Sequence, residues 1–309
     1  MRTIGIDLGG TRTKIGLIDN GKITAIAEID SNSHMGMRPI LPQVANAINK
    51  LISQFPSQEK LQGVGISIPG IVDSKEMKLL TINDKFNDAT EIDFRAWARE
   101  NWDVPLFMDN DARCALVGEW QYGKGKGLNN VVIVTLGTGF GSSAVIDGKV
   151  LRGKHFLAGC LGGHLTLDWK GLQCNCGNTG CVEAHGSTWN LPAIANQFPE
   201  FKNSALNLCE VLDFKNIFDL ANTDSAALQI RNYCMDVWAT GIANLVYAYD
   251  PEIIILCGGV MHSANIIVPY IRKKLSTFAW APFSEIKLEV SDNFNTAALL
   301  SAEYFINNI

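Results

Sequence analysis

The sequence predicts an α/β protein made of two related domains facing each other across a cleft. Three observations lead there. The chain opens on an antiparallel meander, and a strand–Gly/Thr turn–strand unit near its start returns about 128 residues later. Short apolar strands then alternate with helices through the rest of the 309 residues, a length that suits two domains.

Residues 3–7 (Thr-Ile-Gly-Ile-Asp) form an apolar strand that ends on an aspartate, Leu8-Gly9-Gly10-Thr11 turns the chain, and residues 13–19 alternate as a second strand. Asn20-Gly21 is the strongest short hairpin signal, and residues 22–30 follow as a third strand. The Gly-Gly-Thr segment therefore lies between two strands. A Walker loop needs Gly-Lys-Ser/Thr entering a helix, and a dinucleotide fingerprint needs a strand-to-helix turn, so neither fits. The physical use that remains is a turn whose backbone N–H groups hold phosphate oxygens.

A helix over about residues 38–55, its start blurred by Pro39 and Pro42, leads to a strand at 62–68 that ends at Pro69-Gly70. An irregular segment (83–93) and a short helix precede a strand at 104–108, which runs into Asp109-Asn110-Asp111, with helix from about Ala112. Ligands of open α/β sheets bind outside the carboxyl ends of strands, where Asp7, Gly70 and residues 109–111 stand.

The repeat begins with the apolar strand 131–136 and the turn Gly137-Thr138-Gly139-Phe140-Gly141; residues 143–150 then echo residues 16–23. A phosphate chain held between two such turns is the economical interpretation, because Gly/Thr-rich turns explain one copy but not two. A helical region (192–221) follows. The long amphipathic helix 225–249 puts Cys234, Val237, Trp238, Gly241, Ile242 and Leu245 at helical spacing and stops at Asp250-Pro251. A buried strand (252–257) reaches Gly258-Gly259, where backbone can approach a flat ligand such as adenine or ribose. A strand at 286–291 and a helix at 295–305 end the chain.

The most specific chemistry lies at residues 159–183. His164, Cys174, Cys176 and Cys181, in a Gly- and Asn-rich loop, make a Cys₃His set, the donor types and number of a closed structural zinc site. Such a loop offers no core in which to bury ordinary cysteines, and nothing marks the chain as secreted, which disfavours a disulfide. Glu183 follows two residues after the last sulfur.

A net charge of −5 and a pI of about 5.6 argue against a general nucleic-acid-binding surface. No apolar run approaches a membrane span, the N-terminus goes straight into a strand pattern, and four of the eight cysteines are scattered among apolar neighbours; together these predict a cytoplasmic chain.

These elements in this order resemble the ROK family (repressors, open reading frames and sugar kinases) of the actin-like ATPase superfamily. Asp7-Leu8-Gly9-Gly10-Thr11 is similar to its first phosphate motif, Leu136-Gly137-Thr138-Gly139 to its second, Asn110-Asp111-Ala112 to its catalytic segment, Gly258-Gly259 to its adenosine motif, and His164 with the Cys174–Cys181 cluster and Glu183 to its zinc signature. The resemblance implies two actin-like (ribonuclease-H-like) lobes with a cleft between them. The first would be residues 1–113 plus a C-terminal helix at about 294–309, the second residues 114–293 with the zinc loop. It starts at residue 1, leaving no room for the DNA-binding segment of the family's repressors, and it implies a homodimer.

The activity implied is ATP- and Mg²⁺-dependent phosphorylation of a hexose, glucokinase-like or N-acetylhexosamine kinase-like, the alternative being a non-catalytic sugar-binding regulator. Asp111 would be the base, Asn110 and Gly70 would line the sugar, and Asp109 would cap the helix or support its neighbours. Asp7 would orient Mg²⁺ through water. Gly9, Gly10, Thr11, Gly137, Thr138 and Gly139, helped by Arg12 or Lys14, would clamp phosphates, and Gly258 and Gly259 would hold adenosine. His164 would bind zinc with one nitrogen and a sugar hydroxyl with the other; Glu183 would accept from another hydroxyl. One position departs from the family: Leu161 stands where a sugar-binding glutamate is usual, before Gly162-Gly163-His164. An apolar side chain there favours a C2-modified hexose over plain glucose, with the two glycines leaving space for the substituent.

Overall fold

β1 (Arg2–Leu8), β2 (Arg12–Asp19) and β3 (Lys22–Asp30) pair antiparallel, as their alternation and turns predict. Asn20 and Gly21 both take positive φ (52° and 75°), the backbone that matches a two-residue hairpin to the twist of its strands. The computed structural model describes residues 2–55, 59–82, 85–277, 286–293 and 296–308. Residues 83, 294 and 295, at expected element starts, lie outside these.

Helix α1 (Leu41–Gln54), with Pro42 in its first turn where no N–H is needed, buries Val44, Ala45, Ile48 and Leu51. Next come β4 (Leu61–Ile68), the ribbon β5 (Ile71–Asp73) and β6 (Lys78–Thr81), α2 (Phe94–Trp102), β7 (Leu106–Asn110) and α3 (Asp111–Tyr122). The first sheet has the order β3-β2-β1-β4-β7, with β4 parallel to both β1 and β7. The carboxyl ends of β1, β4 and β7 therefore share one edge, carrying Asp7, Gly70 and Asp109–Asp111.

The second sheet repeats this order. β8 (Val131–Leu136), β9 (Phe140–Ile146), β10 (Lys149–Val150), β11 (Ile253–Cys257) and β12 (Lys287–Val290) are arranged β10-β9-β8-β11-β12, antiparallel for β8–β9 and parallel for β8–β11–β12. Its hairpin residues Asp147 and Gly148 (φ 49° and 69°) copy Asn20 and Gly21. The short helices α4 (Val182–Gly186), α5 (Leu191–Ala195) and α6 (Phe214–Leu220) precede α7 (Ser225–Tyr249), which buries Cys234, Val237, Trp238, Gly241, Ile242 and Leu245 and ends on Asp250 in the left-handed region. α8 (Ala264–Leu275) lies between β11 and β12. A final helix, Ala297–Asn307, closes the chain.

By internal contacts one unit comprises Met1–Leu128, Val150–Cys160 and Asp292–Ile309, the other Asn129–Lys149 and Leu161–Ser291. The expected boundary after residue 113 thus falls inside α3, and residues 114–128 and 150–160 group with the first unit. The cause is local packing. At Gly118, α3 sits so close to the final helix that a Cβ would lie 1.9 Å from the Ala297 carbonyl oxygen. Arg113 donates to the carbonyls of Leu151 (3.2 Å), Phe156 (2.7 Å) and Ala158 (2.9 Å), tying residues 151–158 to the start of α3. Among the described residues no helix is long and apolar enough to cross a membrane.

Candidate active site

In the first unit, β7 delivers Asp109 and Asn110, and Asp111 opens α3. The Asn110 side chain caps that helix, its Oδ1 accepting from the N–H groups of Ala112 (3.1 Å) and Arg113 (3.3 Å), while its Nδ2 donates to the Gly70 carbonyl (3.0 Å). The cap is therefore Asn110 and not Asp109. Asp109 is fully buried and accepts from Arg152 Nε and Nη2 (2.9 and 2.8 Å) and Arg113 Nη1 (3.3 Å). Two guanidinium groups offset the cost of that buried carboxylate.

Asp111 is exposed at the start of α3, yet desolvation of its carboxyl pushes it up to about 6, with the Asp7 charge adding to the rise. Burial also raises Asp7, whose Oδ1 accepts from Ser67 Oγ at 2.7 Å; Lys14, its cross-strand neighbour on β2, opposes the rise. A carboxylate disfavoured by burial beside another carboxylate is a donor set that a divalent cation would relieve, so Asp7 fits a Mg²⁺-orienting role.

The first turn is closed by Gly9 N–H donating to the Arg12 carbonyl (3.1 Å). Thr11 and Arg12 are exposed, and the Arg12 guanidinium lies 4.0 Å from Glu28 and 3.6 Å from Asp30, loose surface pairs. Gly10 faces Lys85: a Cβ on Gly10 would lie 2.9 Å from Lys85 Cε and 3.2 Å from its Nζ.

In the second unit, Gly137 N–H donates to the Gly139 carbonyl (3.1 Å), and the turn is braced from outside. Thr188 donates to the Gly137 carbonyl from both N (3.1 Å) and Oγ1 (2.9 Å), and Trp189 N–H donates to the Thr138 carbonyl (3.3 Å). Glu183 accepts from Phe140 N–H (3.0 Å) and Trp189 Nε1 (3.3 Å). The expected adenosine pair divides in use. A Cβ on Gly258 would sit 2.3 Å from the Leu136 carbonyl oxygen, so that glycine serves strand packing, whereas Gly259 and Gly137 have open space where a Cβ would be.

The metal ligand set assembles as expected. One ring nitrogen of His164 and the sulfurs of Cys174, Cys176 and Cys181 all lie within 4.8 Å of one another. Tetrahedral zinc, with Zn–S about 2.3 Å, sets ligand separations of about 3.8 Å; Cys176–Cys181 and Cys174–His164 are each 3.7 Å. Gly180 makes the loop close enough, its φ of 75° and the Asp168 carbonyl leaving no room for a side chain. Burial pushes the Cys174 thiol up to about 12, so a bound cation is what would draw the protons from this set.

Leu161 is half-buried and precedes a single 3₁₀ turn, Gly162–His164. The space expected at the two glycines is taken. A Cβ on Gly162 would lie 2.3 Å from Ser142 Oγ, and one on Gly163 2.1 Å from the Phe140 carbonyl oxygen. They are small so that this turn can pack on β9, and the space on their Cβ side is not free for a sugar substituent.

Several residues at these sites were not singled out from sequence. Arg113 stands four residues after Asp109, a helical ion-pair spacing that could have been read. Arg152, Thr188, Trp189 and Lys85 carry no local signal, because each is brought in by the fold from an irregular or short segment.

A sequence profile of the ROK family matches residues 3–308. A glucokinase of Halalkalibacterium halodurans is 32% identical over 285 residues, 89% of this chain and 86% of that protein. A xylose repressor of Bacillus spizizenii is 28% identical over 280 residues, 89% of this chain and 68% of the repressor. Among solved structures, a ROK family glucokinase from Streptomyces griseus in complex with glucose and AMPPNP superposes with a TM-score of 0.77 at 26% identity, covering 100% of both chains.

Proposed function

The chain belongs to the ROK family, and from that premise we propose that it is an ATP-dependent sugar kinase phosphorylating a hexose hydroxyl. The observation that carries this is Asp111: a solvent-reaching carboxyl at the carboxyl end of β7, raised to about 6 and so poised to take a proton near neutral pH. The glucokinase relatives and the glucose- and AMPPNP-bound neighbour support the same reading.

In this mechanism the sugar hydroxyl oxygen attacks the γ-phosphorus of ATP, the bond to the β-phosphate oxygen breaks, and the hydroxyl proton passes to Asp111. Such a reaction asks mainly for positioning and charge stabilisation. Gly9, Gly10, Thr11 and Lys14 in the first unit, and Gly137, Thr138 and Gly139 in the second, would hold phosphates through backbone N–H groups, the Thr hydroxyls and the Lys14 ammonium. Arg12, already facing Glu28 and Asp30, contributes less. Gly259 would lie against adenosine, with Gly258 setting the strand that carries it.

Asp7 would hold Mg²⁺ through water; when bound, that ion neutralises phosphate charge. Asn110 and Gly70, joined by their hydrogen bond, would line the sugar. His164, with Nδ1 toward the sulfurs, would offer Nε2 to a hydroxyl, and Glu183 would accept from another with a remaining lone pair. His164, Cys174, Cys176 and Cys181 would hold zinc, which would stiffen the loop and stay off the reaction path. The same reading places the enzyme in the cytoplasm as a homodimer, with no nucleic-acid or membrane partner.

A coupled ATP-consumption screen over a panel of hexoses tests it. At least one hexose should stimulate turnover, and Asp111→Asn should abolish the stimulation. The xylose repressor relative favours a second reading, a sugar-binding regulator: sugar binding by calorimetry with no turnover on any hexose would support that instead.

A further inference from the structure

Lys85 follows the β5–β6 ribbon and is half-buried. Its side chain lies against the first phosphate turn, filling the place a Cβ on Gly10 would occupy. Among the described residues its ammonium makes no hydrogen bond or ion pair. A lysine drawn into a turn of backbone N–H groups, rather than extended into water, is a charge held ready for an anion.

We propose that Lys85 is a catalytic residue that contacts the phosphoryl group in transfer. The inference rests on the kinase reading and goes beyond the phosphate and sugar contacts assigned above. In that reading Gly10 marks the donor end of the reaction and Asp111 the acceptor end. Lys85 touches the first, and its positive charge also acts on the second, lowering the Asp111 carboxyl against the opposing effect of burial and Asp7. The group that leaves ATP for the sugar oxygen therefore passes a cation that, among the described residues, no ion pair ties up. During transfer, negative charge spreads over the equatorial phosphoryl oxygens, and an ammonium already beside the turn stabilises that state more than the ground state. Gly10 is part of the arrangement, since any side chain there would displace the lysine.

Two measurements test this. With a hexose that is turned over, Lys85→Ala should lower kcat about 10²-fold while changing the sugar KM little, with partial rescue in Lys85→Arg. It should also move the acid limb of the kcat/KM profile to higher pH, because Asp111 loses a neighbouring cation while Asp7 and Lys14 remain. Independently of any sugar, calorimetry should show Lys85→Ala weakening AMPPNP binding more than ADP binding, since only AMPPNP carries the γ-phosphoryl group. Unchanged kcat, or equal weakening of AMPPNP and ADP, would overturn the role of Lys85. A wild-type protein that turns over no hexose, with Lys85→Ala still weakening AMPPNP more than ADP, would retain the γ-phosphoryl contact while removing the kinase reading.

Discussion

Glu183 accepts a hydrogen bond from the backbone N–H of Phe140 at 3.0 Å, so a carboxylate at the end of the zinc loop is built into the turn after β8. A Cβ on Gly139 would fall 2.5 Å from Glu183 Oε2, which gives that glycine a reason beyond turn geometry. The brace joins, within the second unit, the segment assigned to sugar and the segment assigned to phosphate.

Glu183→Ala should therefore raise the KM for ATP as well as for sugar, and lower stability by about 1–3 kcal/mol, the cost of a stranded backbone donor. Glu183→Gln, which keeps an acceptor for Phe140, should spare most of the stability. A defect confined to the sugar KM would show that the carboxylate does not brace the turn.

The zinc set predicts about one zinc per chain in protein purified without chelator. Cys176 is the exposed member of the set, so Cys176→Ser leaves no cavity and any loss of thermal stability reports the metal. A lowered Tm, matched by chelator treatment of the parent, is expected. Metal-free protein with full activity and an unchanged Tm would remove the site.

Asp111 should make the rate depend on pH near 6. Its carboxyl titrates at about 6, and only the carboxylate accepts a proton, so activity should rise with pH through that value; Asp111→Asn should cost about 10²-fold or more in turnover. Stability should move the other way. A folded-state pKa raised above the unfolded value contributes stability that is complete below about pH 4 and lost as pH rises through 6. Asp111→Asn should thus be more stable than the parent at pH 7 and flatten the profile between pH 4 and 6. An unaltered profile by chemical denaturation would place the titration elsewhere.

What the sequence disclosed was the local part of this site. The two Gly/Thr turns, the hairpins at Asn20-Gly21 and Asp147-Gly148, the Cys₃His cluster and the aspartates at strand ends all follow from neighbours in the chain, and each is found at its expected place. What escaped depended on distant contacts. Nothing near Lys85 says that it will meet Gly10, and nothing in Gly162-Gly163 separates room for a ligand from room for Ser142 and Phe140. Residues 114–128 and 150–160 group with the first unit for the same reason, because α3 is claimed by the final helix and by carbonyls beyond residue 150.

Asp109, fully buried between Arg113 and Arg152, should be the most costly polar residue to remove. Asp109→Ala leaves two guanidinium groups facing an apolar gap, one of them fully buried, and should destabilise by about 3–5 kcal/mol. Because Arg113 also holds residues 151–158, the loss should appear as faster hydrogen exchange in that segment. A change under about 1 kcal/mol would mean that water replaces the carboxylate.

The last expectation concerns the acceptor sugar. Leu161 cannot accept a hydrogen bond, so hydroxyls that a glutamate at this position would meet must find another partner or be absent. With the space at Gly162 and Gly163 taken by β9, the case for a C2-modified hexose rests on the Leu161 side chain alone: an apolar group, such as an acetyl methyl, is its natural neighbour. Plain glucose should be a poor substrate relative to an N-acetylhexosamine. Leu161→Glu should shift kcat/KM toward glucose about ten-fold, the effect of recovering about 1.4 kcal/mol of transition-state binding. The glutamate should need no repacking of the two glycines, since only the half-buried Leu161 side chain is replaced. A parent enzyme that already prefers glucose, together with a variant that gains nothing, would show that Leu161 does not face the sugar.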